Sequence, residues 1–299
     1  MFWFSSFLLG KTLQVPFVSF KRSLFCDRAV VGGWERGPVE VIKPYTTAET
    51  MNSGWCWQIE HDHRINRGYV YSSAFFSDEE AEAEFRRKNP KIGPSRVVRF
   101  VSGYYDCGWK KNVVAIGNSA GFVEPLESTA LFVICDEAWA VAQSLADSDL
   151  EPDEILAEVY NKWCRQTWES IRGFLAIHYK FNTRLETPFW RACQEETDLG
   201  DRAQEYVSYF QERGPSLLWV STLLQGRDAF DSEGWVTMLV GQDVPYRRKY
   251  VPSEAEQKAW KKIQAGNWAA TANGVGVAEM SKIVRSPDWQ FPQDFFRQR

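Results

Sequence analysis

Short apolar runs bounded by glycine and polar residues mark the front half of the chain as strand-rich. Residues 23–34 are rich in Val and Phe and end at Gly32 and Gly33, which is typical of a strand that runs into a turn. Two further runs flank the polar segment His61–Asn66, and this arrangement predicts a β-hairpin. The pattern therefore predicts strands at 23–34, 51–60, 67–76 and 96–103, and a short buried strand at 112–116.

One helix in the front half is marked by its charges. Ser77 is followed three residues later by Glu80, which is the pattern of a capping box at a helix N-terminus. Acidic residues fill the first turn and basic residues the last, an order that the helix dipole favours. We predict a helix over residues 78–88 and interpret its charges as a solvated face.

Beyond about residue 150 the apolar residues recur at helical spacing. Pro152 is expected just inside the start of a long helix, and further helices are predicted near 201–212 and 253–265. We therefore predict a mixed α/β (α+β) fold. A strand-rich module would occupy residues 1–148, and a mainly helical region would occupy residues 149–299.

The composition indicates a folded protein and singles out tryptophan. The 299 residues are 44% hydrophobic and 25% charged, which excludes an intrinsically disordered chain. The formal net charge of −4 argues against nucleic acid as a partner, because phosphate-binding surfaces are usually basic. The 14 tryptophans exceed what core filling requires. Two interpretations stay open: an aromatic ligand cavity, or a helical domain with bulky packing.

The sequence has no pattern of a targeting or membrane segment. Met1–Gly10 is apolar but too short to span a bilayer, and it lacks the basic region and cleavage site of a signal peptide. No segment reaches 18 apolar residues, and the six cysteines are spread singly. We therefore expect a reduced, cytoplasmic protein without membrane contact.

The segment Val113–Leu131 has the pattern of a strand, a loop of small residues and a helix start. The loop residues 117–121 let backbone approach a ligand closely, and a helix that starts near Ser128 or Thr129 presents N–H groups to an anion. Glu127 lies just ahead of that helix as a candidate acid or base. An ordinary strand–loop–helix corner explains the same residues, so both interpretations stay open.

Two tryptophans are expected on one face of a strand. Alternation puts Trp55 and Trp57 on the same side and Cys56 on the other. Two indoles on one face can wall a flat cofactor or substrate, and they can equally form one side of a sheet core.

Other chemistries have weaker patterns. His61 and His63 flank one aspartate in a polar turn and His178 is the only other histidine, so we expect no metal site. No GxSxG elbow of a serine hydrolase is present. The GxG at Gly274–Gly276 lacks the third glycine of a dinucleotide fingerprint.

Together, these segments resemble the flavin-dependent tryptophan halogenases. The run from Trp55 through Trp57 to Ile59 is similar to the WxWxIP signature of that family. Gly117–Thr129 is similar to its second FAD-contacting segment and catalytic carboxylate. Further similar segments are Leu24–Ala29, Pro44–Ala48, His178–Tyr179, Thr183–Arg184 and Thr187–Trp190.

The resemblance implies flavin-dependent halogenation of an aromatic small-molecule substrate, tryptophan or an indole-like ring. Reduced FAD, supplied by a separate flavin reductase, reacts with oxygen, and halide is oxidised to hypohalous acid that travels to a separate substrate pocket. A lysine and a glutamate then direct the halogen onto the ring. Residues 1–148 would be the remaining part of a FAD-binding, monooxygenase-like module and residues 149–299 a helical substrate-capping region. A homodimer stays open.

The resemblance also implies roles for the motif residues. Glu127 would stabilise the cationic ring intermediate or accept its proton, with Ser128 beside it as a second catalytic residue. Thr129 and Ala130 would bind halide through their backbone N–H groups. Trp55, Trp57 and Ile59 would separate flavin from substrate, and FAD contacts would come from Gly117, Asn118, Ser119, Ala120, Gly121 and Phe122.

Three features depart from the family pattern. Glu60 stands where the signature has proline, which puts a charge near the path of hypohalous acid. Gly234–Val236 stands where tryptophan-specific enzymes have tyrosines, which makes Trp235 a candidate residue of the substrate region. The first βαβ unit, with its GxGxxG turn and catalytic lysine, has no counterpart, so we expect the C-terminal portion of a halogenase.

Two alternative functions stay open. A flavoprotein monooxygenase of the same fold would hydroxylate its substrate, although the paired tryptophans and the segment Glu127–Thr129 speak against it. A non-catalytic remnant or interaction module is compatible with the missing dinucleotide motif and lysine.

Overall fold

An antiparallel sheet of five strands organises the front half of the chain. The computed structural model describes residues 7–223, 228–272 and 274–290. The strands of the large sheet are β2 (Arg28–Glu35), β3 (Thr47–Met51), β4 (Gly54–Glu60), β5 (Arg64–Tyr71) and β6 (Arg96–Arg99). Their order is β3-β4-β5-β2-β6, so β5 is the central strand and β4 and β2 lie on either side of it.

The predicted hairpin is formed by β4 and β5, but its turn is shorter than predicted. The register pairs Gly54 with Tyr71 and Glu60 with Ile65, and the N–H of His61 donates to the carbonyl of Arg64 at 2.9 Å. Arg64 also belongs to the strand, because backbone pairing continues beyond the apolar residues. The turn therefore consists of residues 61–63.

The two faces of β4 pack against different clusters, as alternation predicts. Trp55 and Trp57 contribute to the largest apolar cluster of the described residues, and Cys56 belongs to a separate cluster on the other face of the sheet. Gly68 lies opposite Trp57 in the register, and a Cβ at Gly68 would approach the indole of Trp57 to 2.3 Å. The glycine therefore makes room for the indole across the strand pair.

A helix follows the hairpin at the predicted residues. Helix α1 spans Asp78–Lys88 and begins with a capping box. The Ser77 hydroxyl accepts a hydrogen bond from the Glu80 N–H at 3.2 Å, while the Glu80 carboxylate accepts one from the Ser77 N–H at 2.8 Å. Phe85 faces the sheet and is fully buried. Both the capping box and the helix bounds are confirmed.

Shorter strands complete the front half. A three-stranded antiparallel sheet has the order β1 (Phe17–Ser19), β7 (Gly103–Tyr105), β10 (Gly121–Phe122), and a two-stranded ribbon joins β8 (Trp109–Lys110) to β9 (Val113–Val114). The buried strand predicted at 112–116 is wrong in extent, since only two half-buried residues pair. The strand predicted at 23–34 begins only at Arg28, because residues 23–27 form an irregular connection.

Helices dominate the chain after residue 129. The two longest near its middle are α2 (Ala130–Asp147) and α3 (Glu154–Lys180). The others are α4 (Pro188–Glu196), α5 (Gly200–Arg213), α6 (Leu217–Leu223), α7 (Ser232–Gly241), α8 (Glu254–Thr271) and α9 (Val277–Val284). The helices predicted near 201–212 and 253–265 are confirmed with slightly longer bounds.

Helix α3 is the central element of the core. Its start differs from the prediction, because Asp153 is the N-cap and accepts a hydrogen bond from the Leu156 N–H at 2.9 Å. Pro152 therefore precedes the cap instead of lying in the first turn. The helix contributes Trp168 to the cluster under the sheet and Phe174 to a second, helical cluster.

Helix α2 is largely exposed. Within the described residues, Thr129–Asp147 is the one helix whose length and apolar composition would allow it to cross a membrane, and 17% of that window is buried. Core helices of soluble proteins meet the same two criteria, so this feature is weak evidence for a membrane span.

The mixed α/β class is confirmed. Among the described residues, every strand lies before residue 123, while the long helices follow. A module boundary near residue 148 falls between α2 and α3 and stays a prediction.

Candidate active site

Glu127 lies in a tight turn between β10 and α2. The next residue, Ser128, has a φ of 52°, and its N–H donates to the carbonyl of Pro125 at 3.1 Å. This left-handed conformation is uncommon for residues other than glycine and needs support from the surrounding structure. The helix begins at Ala130, within two residues of the predicted start. The turn therefore fixes Glu127 directly before the N-terminus of α2.

The side chain of Glu127 lines a cavity of about 790 Å³, which is within the size range of small-molecule sites. Strands β3 and β4, the Glu127 turn, the end of α3 and the end of α7 contribute its walls. Aromatic walls come from Trp55, Tyr179, Phe181 and Trp190. Polar groups come from Glu49, His178, Asn182, Arg184 and Asp243. The cavity is therefore lined by aromatic residues and a few titratable groups.

Among the residues that the structure describes, the titratable side chain in contact with Glu127 is His178 of α3. The distance from Oε1 of Glu127 to Nε2 of His178 is 2.7 Å, and the two side chains are 31% and 15% exposed. Burial raises the pKa of Glu127 above its usual range and lowers the pKa of His178 to about 4. The imidazole is therefore neutral near pH 7, and the contact is a hydrogen bond to a neutral ring.

A second glutamate, Glu124, lies fully buried behind the cavity wall. Its Oε1 accepts hydrogen bonds from Nε1 of Trp55 at 3.0 Å and from the hydroxyl of Tyr179. Burial raises the pKa of Glu124 to about 7, although both hydrogen bonds oppose this shift. Sequence reasoning missed Glu124, whose only signal is its place three residues before Glu127.

A small cavity lies between the loop that is predicted to contact FAD and the helix start that is predicted to bind halide. It has a volume of about 10 Å³, close to the space that one water molecule needs. The structure brings five predicted residues to its walls, together with Trp168: Gly117, Asn118, Phe122, Thr129 and Ala130. Helix α2 has no acidic residue in its first turn, and its first residue, Ala130, lines this cavity.

The loop before β10 is hydrogen-bonded to the side chain of Glu137 in α2. The Gly117 N–H donates to Oε2 of Glu137 at 2.5 Å, and burial raises the pKa of Glu137 to about 7. Gly117 has a φ of 58°, and a Cβ there would approach Ile134 to 2.3 Å. The amide of Gly117 is therefore engaged inside the protein, whereas Asn118 and Ser119 are exposed. Ala120 and Gly121 are buried.

The three signature residues of β4 have different surroundings. Trp55 is buried and lines the large cavity, where its indole N–H is fixed by Glu124. Trp57 packs over Gly68, and Ile59 is 42% exposed. Neither Trp57 nor Ile59 is among the cavity-lining residues of the described chain. Their role between flavin and substrate stays a prediction.

Trp235 belongs to the second, helical cluster and is not among the described residues that line the large cavity with Glu127. Its side chain is fully buried, packs edge-on against Phe174 and donates from Nε1 to Asp228 at 3.3 Å. Residues 241–243, at the end of the helix that carries Trp235, line the large cavity. The structure therefore brings the end of α7 to the cavity, and a substrate contact of Trp235 stays a prediction.

The charge of Glu60 is neutralised locally. Its carboxylate pairs with the guanidinium of Arg36 and accepts a hydrogen bond from Gln58 at 2.6 Å. Burial raises the pKa of Glu60, but these hydrogen bonds outweigh burial and lower it overall. The residue that replaces the signature proline is therefore an ion-paired side chain.

Comparison with known proteins identifies similar chains. Residues 3–257 match the family model described as tryptophan halogenase. Tryptophan 7-halogenase KtzQ from Kutzneria sp. is 39% identical over 196 residues, which are 64% of this chain and 36% of the relative. Tryptophan 7-halogenase RebH from Lentzea aerocolonigenes is 33% identical over 212 residues, which are 70% of this chain and 39% of the relative.

Solved structures of halogenases have the same fold. MibH, a lanthipeptide tryptophan 5-halogenase, superposes with a TM-score of 0.80 at 36% identity, over 93% of this chain and 53% of its own. Xcc4156, a flavin-dependent halogenase from Xanthomonas campestris, gives a TM-score of 0.81 at 26% identity, over 93% of this chain and 55% of its own. The chain thus spans about half the length of these structures and less than half that of the curated relatives.

Proposed function

The chain belongs to the tryptophan halogenase family, and from that premise we propose that it acts in flavin-dependent halogenation of an aromatic ring, tryptophan or an indole-like compound. One observation carries the proposal. Glu127 lines a 790 Å³ cavity together with the aromatic residues Trp55, Tyr179 and Trp190. Such walls suit an aromatic ring, and the carboxylate is the group that the reaction requires beside it.

We propose Glu127 as the catalytic residue of this chain. A halogen that adds to an aromatic carbon leaves a cationic ring that must lose a proton. An ionised Glu127 stabilises that cation by its charge and then accepts the proton, while burial increases its proton affinity. Ser128 adjoins it, and its strained backbone holds the turn.

The loop and helix start fit a flavin and a halide in part. Asn118 and Ser119 offer exposed small residues to a flat cofactor, whereas the N–H of Gly117 is engaged by Glu137. Thr129 and Ala130 place a helix N-terminus against the small cavity, as an anion requires. Reduced FAD, when bound, would supply two of the four electrons that reduce oxygen, and the halide, which is thereby oxidised, would supply the other two. We propose that a separate flavin reductase provides this FAD, and that the protein is cytoplasmic.

The test is an assay of the purified full chain. Reduced FAD is regenerated by a flavin reductase in the presence of oxygen and halide, with tryptophan or indole as substrate, and products are analysed by mass spectrometry. We expect a product whose mass has gained one halogen and lost one hydrogen. Flavin fluorescence during titration with FAD measures cofactor binding separately. A hydroxylated product, or no halogenated product although FAD binds, would contradict the proposal.

A further inference from the structure

His178 is a candidate for a role that the proposed function leaves unassigned. It lies near the C-terminal end of α3, 51 positions after Glu127 along the sequence, and its imidazole lines the same cavity. Both ring nitrogens face oxygen atoms. Nε2 is 2.7 Å from Oε1 of Glu127, and Nδ1 is 3.4 Å from the carbonyl of Phe174.

The two distances identify the nitrogen that carries the proton. A neutral imidazole has one N–H, and burial keeps the His178 ring neutral near pH 7. The Nε2 contact has the length of a charge-assisted hydrogen bond, about 2.7–2.9 Å, whereas the Nδ1 contact exceeds the usual range for an N–H donor, about 2.7–3.2 Å. The proton therefore belongs on Nε2, where it is donated to the carboxylate.

We propose that His178 is a positioning residue for Glu127, with its Nε2–H held on Oε1 so that Oε2 remains the proton acceptor toward the cavity. This inference rests on the proposed function for its chemical consequence. A neutral donor fixes the direction of the carboxylate and lowers its proton affinity less than a positively charged donor would.

The proton balance of this arrangement is simple. The carbon–hydrogen bond of the halogenated ring breaks, its electron pair restores aromaticity, and the proton moves to Oε2 of Glu127. His178 keeps its own proton throughout and acts only through Glu127. A lysine or arginine in the position of His178 would instead hold the carboxylate in its ionised form and weaken it as a base.

Other charged groups of the cavity have their own partners or lie on other walls. Glu49 of β3 is paired with Arg67 and Lys88. Tyr179, the neighbour of His178, donates its hydroxyl to Glu124 on the other side of the wall. Arg184 and Asp243 also line the cavity. The test therefore compares variants that differ only at position 178, so that these groups are the same in each.

The first test is a nuclear magnetic resonance measurement on the full chain without cofactor. The sequence has three histidines, so ¹⁵N labelling of the imidazoles gives few signals, and His61→Gln and His63→Gln assign two of them. We expect His178 to carry its proton on Nε2 at pH 7. A proton on Nδ1, or a doubly protonated ring at pH 7, would overturn the proposal. This result does not depend on whether the chain halogenates anything.

The second measurement is the pKa of Glu127 in two matched variants. His178→Phe keeps a flat ring but removes the donor, whereas His178→Gln keeps an N–H donor of similar reach. Loss of the donor is expected to raise the pKa of Glu127 by about one pH unit or more, with recovery in His178→Gln. Carboxyl ¹³C signals, assigned through Glu127→Gln, report the value. An unchanged Glu127 pKa in His178→Phe would overturn the proposal, and thermal unfolding confirms that each variant is folded.

The pH dependence of turnover separates positioning from packing. In an active preparation, His178→Phe should lower kcat at least tenfold, with KM unchanged within about twofold. The acidic limb of the pH–rate profile should move to higher pH. His178→Gln should return the acidic limb to its wild-type pH and restore most of the rate. A change in KM alone would show that His178 only shapes the cavity and would contradict the positioning role.

Discussion

Carboxylates in two regions of the molecule have opposite surroundings. At the start of α1, Asp78 accepts hydrogen bonds from Tyr71, Arg28 and Arg99, and these donors lower its pKa to about 2. Behind the cavity wall, Glu124 accepts hydrogen bonds from two neutral donors, Trp55 and Tyr179, and burial raises its pKa to about 7. Cations neutralise Asp78, whereas aromatic side chains provide both hydrogen-bond donors to Glu124. The surroundings of Glu124 stabilise the ionised carboxylate less than those of Asp78, so Glu124 has the higher proton affinity. A high proton affinity is what a proton-accepting site requires.

The largest effect on stability is expected from removing Glu124. In Glu124→Ala, the indole N–H of Trp55 and the hydroxyl of Tyr179 lose their partner in a buried position, and a small cavity opens. We expect the free energy of unfolding to fall by about 3–5 kcal/mol, since two buried donors are left unsatisfied and packing is lost. Urea denaturation measures the change. A loss below about 1 kcal/mol would show that the two donors find water instead.

The pH dependence of stability should run in opposite directions for the two carboxylates. Asp78 has a lowered pKa, so its contribution is present above its unfolded value of about 3.9 and is lost as the pH falls toward 2. Glu124 has a raised pKa, so its contribution is present below the unfolded value of about 4.3 and is lost as the pH rises through about 7.

Two isosteric variants measure this contrast. Asp78→Asn should be less stable than the wild-type protein near neutral pH, and this difference in the free energy of unfolding should disappear as the pH falls toward 2. Glu124→Gln should gain stability relative to wild type between pH 4 and 7, by roughly 2 kcal/mol. Unfolding free energies measured at several pH values compare the two curves. If the stability of both variants relative to wild type changed with pH in the same direction, the two carboxylates would not differ in the way proposed.

A smaller effect is expected at the loop of the cavity region. Gly117→Ala adds a Cβ at a φ of 58° and within 2.3 Å of Ile134. We expect a loss of about 2 kcal/mol, because the strained backbone and the contact act together. Gly276→Ala is the matched control, since a Cβ there meets nothing within 4 Å. Equal stability of the two variants would contradict the close packing of the loop on α2.

The smallest effect is expected at the cap of α1, in the same region as Asp78. Ser77→Ala removes the side-chain acceptor for the Glu80 N–H. We expect a loss of about 1 kcal/mol in the free energy of unfolding. The signals of His178 should be unaffected, because the cap lies away from the cavity. A shift in those signals would mean that the two regions are coupled.

The sequence predicts those features that depend on neighbours along the chain. The capping box of α1 involves Ser77 and Glu80, and the faces of β4 follow from alternation, so both were predictable. The burial of Glu124 and its contact with Tyr179 depend on how the end of α3 packs against a turn 55 positions away. No local pattern encodes that distance.

Backbone strain is a second kind of feature that sequence reasoning missed. Ser128 adopts a left-handed conformation without being glycine, because pairing with Pro125 and the start of α2 impose it. Residue roles carried over from motif resemblance name the candidate site, and the structure brings Glu127, Trp55 and Tyr179 to one cavity. Trp57 and Ile59 share the motif but not the cavity.

The central claim is that Glu127 is the proton acceptor of a halogenating site, and Glu127→Gln tests it most directly. The variant keeps an oxygen for the His178 N–H but cannot accept a proton, and Glu151→Gln, an exposed carboxylate between α2 and α3, serves as the control. We predict that Glu127→Gln lowers the rate of halogenated product formation at least a hundredfold with unchanged FAD binding, while Glu151→Gln remains at the wild-type rate. Halogenation by Glu127→Gln at a rate close to wild type would contradict the account.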